Sequence, residues 1–384
     1  MDRSSKAPSP NIILALMGLS AVAIMFALLP VKGPPDSDFV LFLDGWMETI
    51  RHVGWKSVAG GFSEYTPPYI YLLNLAALLE PAVGTTAAVK LVNLPFVISC
   101  AAGVGALVAR ASKDSDLGKV AAAVTIVSPS LLVNSFAYGQ CDAIFTSFVL
   151  WFVYFAMCDR PKTASLMFGI ALSFKLQAIF VSPLLAVLFL WKRVRLPHLL
   201  IIPATYIALM LPAFLAGRPW AELFTVYLRQ GSLMQDLSLN APNPWWLLRG
   251  AVPYKIGVFA GVLAGVVTGV LIVWRSMTLP RLATALLLVA AASAALLPWV
   301  LPKMTARYFF LADLLTIALA FARPRLWPAA VLVQLGSLLS VFAYFVNWGT
   351  AVFGLVPMTC GLGLIAFEFF VGDQDGPKVR FEAV

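Results

Sequence analysis

Apolar residues run through this chain in long stretches that polar residues interrupt only briefly. The stretches fall at 11–31, 86–109, 118–136, 141–158, 163–176, 177–191, 197–216, 253–274, 282–300, 308–322, 326–346 and 350–371. None shows the period-two alternation of a half-buried strand. They predict helices that are apolar on every side, surrounded by lipid and by one another. The fold class expected is all-α, a polytopic membrane helix bundle of about twelve spans at ~20 residues per crossing. A β-barrel does not fit, because its strands would be short and alternating. Two polar connections stand out, at 32–85 and 217–252, and no internal repeat or linker divides the chain. Residues 1–384 therefore read as a single membrane-embedded domain.

The first connection is itself patterned. Phe39, Phe42, Leu43, Trp46 and Ile50 recur at helical spacing, with Asp38, Asp44 and Glu48 between them. This predicts an amphipathic helix over 38–51 lying on the membrane surface. Pro67 and Pro68 open a second apolar segment, 69–79, that Glu80-Pro81 ends. It is short for a crossing and reads as a second interfacial helix, with a true span as the alternative. At the N-terminus, Asp2, Arg3 and Lys6 precede the first apolar run. Ala21-Val22-Ala23 has the form of a signal-peptidase site, but the run continues beyond it, which reads as an uncleaved anchor.

Composition sharpens this picture. The chain is 61% hydrophobic and 12% charged, against ~25% charged in an average soluble domain. A mean hydropathy of +0.89 over this length excludes a soluble enzyme and a globular head on a single anchor. The net charge of +9 does not point to nucleic acid, because the Lys and Arg residues lie mainly in short connections. With the N-terminus in the cytoplasm, sixteen of the 27 fall on the cytoplasmic side, Lys192, Arg193, Arg195, Arg323 and Arg325 among them. An even span count puts both termini there. Lys175 lies between two short segments, 164–174 and 176–190. These are two short helices meeting near the outer surface or one broken re-entrant element, and both place Lys175 outside. No CxxC pair occurs, and His52 and His198 are isolated, so neither a disulfide framework nor a histidine metal site is indicated.

Charges near hydrocarbon are expensive, ~2.5–3.5 kcal/mol each at mid-bilayer, so their distribution is informative. Under this orientation Asp36, Asp38, Asp44 and Glu64, then Tyr138–Asp142, then Lys175 and Gln177, then Asn240, Asn243, Trp245 and Trp246, then Lys303 and Arg307 all fall on one membrane face. Cations there suit a phosphate, a carboxylate can take a proton from a hydroxyl, and Trp and Asn suit sugars. Blander readings stand beside these. Asp36 and Asp38 can be solvated loop acids, and Asp44 and Glu48 the wet face of the interfacial helix. Lys175 can snorkel, Arg307 can anchor the surface, and Trp245-Trp246 can belong to an aromatic belt. Asp142, at a span mouth, needs a partner or water, and Asp313, further into a span, is expected to pair within the bundle. No phosphate-binding loop, dinucleotide fingerprint or HExxH occurs.

Several of these stretches resemble the GT-C superfamily of glycosyltransferases that use polyprenyl-phosphate-linked sugars, especially bacterial relatives of the dolichyl-phosphate-glucose and -mannose transferases. Asp38–Phe42 with Trp46 resembles the acidic motif of the first outer loop. Glu64-Tyr65-Thr66-Pro67-Pro68-Tyr69 is similar to an acid-Tyr-Pro-Pro motif with Thr66 inserted. Tyr138-Gly139-Gln140-Cys141-Asp142 resembles an aromatic-Gly-Gln-x-Asp motif, and Lys175-Leu176-Gln177 a Lys-x-Gln motif. Asn240 to Trp245 resembles an Asn-x-x-Asn-x-Trp segment, and Met304–Tyr308 part of a Met-His-Glu-Arg-Tyr motif. The resemblance runs in order from about 38 to 310. It implies an inverting transferase that moves one sugar from a polyprenyl phosphate to an acceptor hydroxyl of a lipid or glycan. It implies Asp38 as general base, with Asp36 as the alternative. Arg307 and Lys175 would stabilise the leaving phosphate, and Asp142, Gln140 and Asn243 would bind sugar or position the loop. Glu64, Tyr65, Gln177, Asn240, Trp245 and Tyr308 join them as substrate-binding candidates through their motifs. The His-Glu pair of the last motif is Thr305-Ala306 here, so contacts from those side chains are lost or supplied elsewhere. A divalent metal at the loop acids is left open. The expected setting is a bacterial inner membrane with the site extracytoplasmic. The rival readings are a secondary transporter or lipid-linked-sugar flippase, and a glycan ligase or polymerase.

Overall fold

The computed structural model describes residues 10–34, 37, 39–233, 235–346 and 348–372. Each of the twelve predicted segments is helical, with boundaries within a few residues of the reading. The principal helices are α1 (Pro10–Leu28), α2 (Asp44–Val53), α3 (Pro67–Val83), α4 (Thr85–Ser112), α5 (Ser115–Ile126), α6 (Asp142–Met157), α7 (Pro161–Phe174) and α8 (Ser182–Leu190). They continue as α9 (Ile201–Leu215), α10 (Trp220–Leu233), α11 (Tyr254–Ser276), α12 (Ala283–Val300), α13 (Phe310–Ala322), α14 (Trp327–Phe342) and α15 (Val352–Phe370). Two two-residue strands, β1 (Ser238–Leu239) and β2 (Met304–Thr305), pair in parallel.

By length and composition seven helices can cross a membrane, or eight if α5 and the segment Pro129–Ala137, bent by 47°, form one span. Twelve full crossings are therefore not reached on length alone. The helices that fall short have a physical reason to be short. Of the residues in α13, Phe310 to Ala320 are all buried, and α6 is mostly so. A helix surrounded by protein need not match the lipid thickness, and both begin at buried polar groups that would be costly in hydrocarbon. The outer helices show the opposite pattern. On α11 the exposed positions include Phe259, Val266, Val270 and Trp274, while Gly257, Gly261 and Gly265 face inward.

Small residues set the closest approaches. A Cβ on Gly105 would lie 2.7 Å from the Gly118 carbonyl and the reverse holds, so α4 and α5 touch backbone to backbone. Gly336 and Gly354 do the same for α14 and α15.

The first connection departs from its reading in detail. A π-helical turn, Phe39–Leu43, precedes α2, and the apolar face of both is covered by Tyr69, Ile70 and Leu73 of α3 rather than left to lipid. Nor does α3 stop at Glu80-Pro81. It runs to Val83, because a proline in the last turn disturbs little helix beyond itself. Asp313 is buried beside the Ser130 and Ser337 hydroxyls. Among the described residues it has no ion pair.

Candidate active site

The site is assembled where helices are interrupted. After α5, Pro129 cannot donate to the preceding turn, and the chain bends into a π-helical turn, Val133–Ala137. Gly139 then takes φ +70, and the Gln140 amide donates to the Asn134 carbonyl at 2.9 Å. A Cβ at 139 would lie 3.1 Å from the Phe39 ring, so glycine serves both the backbone conformation and the close approach. The fold-back carries Gln140, Cys141 and Asp142 into the protein, and Asp142 occupies the first turn of α6, where the helix dipole favours an anion.

A second interruption supplies the partner. At the end of α7 Lys175 is extended, and a 3₁₀ turn, Leu176–Val181, follows. The Thr66 hydroxyl donates to the freed carbonyls of Ser173 (2.6 Å) and Phe174 (3.3 Å), closing the helix end. Lys175 forms an ion pair with Asp142, with side-chain exposures of 5% and 1%. The ammonium also stands over the Tyr65 ring, 5.5 Å from its centroid. The other carboxylate oxygen of Asp142 accepts from the Asn134 amide at 3.4 Å.

Arg307 enters from a third direction, in the 3₁₀ turn Ala306–Phe309 that heads α13, and donates to the Gln140 side-chain carbonyl. The Cys141 thiol lies within electrostatic reach of Lys175, Asp142 and Arg307, and against Tyr65. Tyr65 packs between Trp46 (5.4 Å) and Tyr69 (5.0 Å). A cleft lined by Phe42, Leu43, Trp46, Tyr65, Tyr69, Gly139, Gln140 and Cys141 opens beside them. Tyr65, Gln140, Asp142, Lys175 and Arg307 thus meet, from four separate segments of chain.

The second connection is tied to this cluster through β1 and β2. Leu239 pairs with Thr305 and Asn240 bridges to it, two residues before Arg307. The Tyr344 hydroxyl donates to the Leu239 carbonyl at 3.0 Å, and its ring packs on Tyr138 at 5.2 Å. Asn240 is fully buried, with φ +58 and, among the described residues, no hydrogen bond to its side-chain amide. Asn243 and Trp245 have other duties. They donate to the last carbonyls of α12 and its end, Asn243 to Leu301 (3.2 Å) and Trp245 to Val300 (2.7 Å), while Asn243 Oδ1 has no partner among the described residues. Gln177 is buried with Oε1 unpartnered among the described residues, and Tyr308 packs on Phe180 of the same 3₁₀ turn at 6.4 Å. Glu64 is half-buried, and its backbone carbonyl accepts from Gln230.

Asp36 and Asp38 lie outside the described residues. Ser37 and Phe39, which are described, lie near Ala137 and Gly139: a Cβ on Gly33 would stand 3.3 Å from Ser37 Oγ and 3.4 Å from the Ala137 carbonyl. Among the described residues no three His, Cys, Asp or Glu side chains gather as a metal site. Two neighbours of this cluster escape a reading of the sequence. Asn134 looks like any polar residue in a span. Lys90 is fully buried and donates to the Leu28 carbonyl (2.8 Å) and to that of Val31. A charge inside an apolar run was the available signal for Lys90.

No protein-family profile matches the chain, and no curated protein sequence does. A solved structure does: ArnT from Cupriavidus metallidurans, bound to undecaprenyl phosphate, is similar over 94% of this chain and 78% of its own, with a TM-score of 0.55 at 13% identity. The chain therefore shares the fold of ArnT, a polytopic membrane helix bundle.

Proposed function

We propose that the protein is a membrane glycosyltransferase that moves a single sugar from a polyprenyl-phosphate carrier to an acceptor hydroxyl, with inversion, at the extracytoplasmic mouth of the bundle. One observation carries this reading: the meeting of Tyr65, Gln140, Asp142, Lys175 and Arg307 beside an aromatic cleft. The lipid phosphate bound to ArnT supports the class of donor.

The acceptor oxygen attacks the anomeric carbon from the side opposite the phosphate. The new C–O bond forms as the bond to the phosphate oxygen breaks, and the polyprenyl phosphate leaves with that electron pair. The acceptor proton passes to the Asp38 carboxylate, with Asp36 as the alternative base. Arg307 meets the charge on the departing phosphate, and Lys175 adds to it. Its pair with Asp142 holds the Lys175 ammonium in place for this. Trp46 and Tyr65 offer aromatic faces to the sugar, and Gln140 and Asn240 offer amides. The orientation rests on the Lys and Arg count, with the site opposite Lys192, Arg193 and Arg195.

The test is a transfer assay on the full chain in nanodiscs, with a panel of radiolabelled polyprenyl-phosphate sugars and total bacterial membrane lipid as acceptor. Label should move from one donor to an acceptor while free polyprenyl phosphate accumulates. Failure with every donor, in protein that is folded by thermal melting, would overturn the reading.

A further inference from the structure

Asp313 lies in the first turn of α13, 1% exposed, within a run of residues that are all buried. The Ser130 and Ser337 hydroxyls stand beside its carboxylate. Ser130 comes from the short turn Pro129–Leu132 and Ser337 from α14. Among the described residues neither carboxylate oxygen receives a hydrogen bond, and Ser130 Oγ has no partner either. A fourth residue joins them. Gln334, one turn before Ser337, donates its amide to the Asp313 main-chain carbonyl at 3.1 Å, while its own Oε1 is buried and unpartnered among the described residues.

The carboxylate also lacks a balancing charge, since among the described residues no ammonium, guanidinium or imidazole pairs with it. A buried charge in that state is costly, and ionisable groups within a span are partnered or functional. A proton would neutralise the acid and add one donor, which still leaves more oxygens than hydrogens to bond them. A cation meets several oxygens at once. Carboxylate, hydroxyl and amide oxygens are the ligands of hard cations, and one carboxylate balances one positive charge. A divalent ion would bring surplus charge into the bundle.

The setting is a broken helix. The segment Pro129–Ala137 is bent by 47° from α5, and interrupted membrane helices are where proteins gather oxygens around sodium ions. The three elements that carry the oxygens pack on one another. Both flanks lead along the chain to the Asp142 cluster. Asn134, one turn beyond Ser130, donates to Asp142 at 3.4 Å, and Arg307 stands less than two turns before Asp313. The oxygen group nevertheless shares no residue with that cluster.

We propose that Asp313, Ser130 and Ser337 bind a sodium ion, with Gln334 beside them, and that the ion fastens the broken helix to α13 and α14. The site does not depend on the chain being a transferase. Thermal unfolding of the full chain in phosphatidylcholine nanodiscs tests it, with sodium chloride replacing choline chloride at fixed pH and ionic strength. Binding of radioactive sodium to the same nanodiscs, by scintillation proximity, gives a direct readout. The expected result is a saturable rise in melting temperature with sodium, matched by saturable binding of one ion per chain. Both should be lost in Asp313→Asn, which keeps the shape of the side chain and removes its charge. Ser130→Ala should raise the sodium concentration at half-effect about tenfold, the scale on which a metal site loses affinity when one supporting group is removed. If Asp313→Asn does not fold, Ser130→Ala and Ser337→Ala carry the test through that midpoint. A carboxyl that holds a proton instead would show no sodium response. Absence of saturable binding, a rise that survives in Asp313→Asn, or an unmoved midpoint in both serine variants would overturn the proposal.

Discussion

The two ends of α13 carry comparable charges and use them differently. Past its C-terminal end, Arg323 and Arg325 both pair with Glu368 of α15, whose side chain is 6% exposed. At its head, Arg307 meets Gln140, beside the buried pair of Asp142 and Lys175. The Glu368 cluster joins the end of α13, the 3₁₀ turn Pro324–Leu326 and the end of α15, and among the described residues none of its charged atoms is buried without a partner. The other end is built from a π-helical turn, a left-handed glycine, an extended lysine and two 3₁₀ turns. Around it Asn134 Oδ1, Gln140 Nε2, Gln177 Oε1, Thr305 Oγ1 and both amide atoms of Asn240 are buried with no partner among the described residues. A charge cluster that satisfies itself closes a structure. One set among unsatisfied donors and acceptors keeps bonding capacity for something else.

Substitutions at the two ends should separate these roles. The largest effect is expected at the proposed base: Asp38→Asn should lower transfer ~10²–10⁴-fold without moving the melting temperature. If Asp36→Asn does so instead, the base is Asp36. Next, Lys175→Met strands a buried carboxylate and should destabilise the protein by about 3–5 kcal/mol in thermal or denaturant unfolding. Lys175→Met combined with Asp142→Leu should restore most of that stability and none of the transfer. At the other end, Glu368→Gln weakens charge-assisted hydrogen bonds worth about 1.5–3 kcal/mol, and transfer per folded molecule should be unchanged. The smallest effect is expected at Gly139→Ala. It places a side chain at φ +70 and should cost about 1–2 kcal/mol, with a raised KM because Gln140 is displaced. Equal losses of transfer from Glu368→Gln and Lys175→Met would erase the distinction between the ends.

Much of the helical frame was legible, because apolar runs of this length have few alternatives in water or lipid. The break before Lys175 was legible too, since a charge between two short apolar segments has little choice. The Asp142–Lys175 pairing was not: both residues were singled out, but a pairing across 33 positions depends on how α6 and α7 pack, which periodicity does not encode. Asn243 and Trp245 were read by residue type as suited to sugars, and only the tertiary structure shows their N–H groups closing the end of α12. The Glu80-Pro81 pair reads as the end of α3 in the sequence, whereas the proline occupies the helix's final turn, which it does not break. Arg218 is one of three arginines in the connection 217–252, and its burial depends on tertiary packing that the sequence does not display.

Lys90 has a wider consequence. Much of α1 faces outward, Leu19 and Phe26 among its exposed residues, and its last turn is moored by one ammonium reaching over from α4. The acid-bearing stretch at 36–38 starts just beyond that mooring. The departure point of the loop that is proposed to supply the base is therefore held by a side chain that belongs to another helix. The same side chain lies against Gly139, where a Cβ would stand 3.7 Å from its Cε, so one residue of α4 ties the loop's point of departure to the fold-back that carries Asp142.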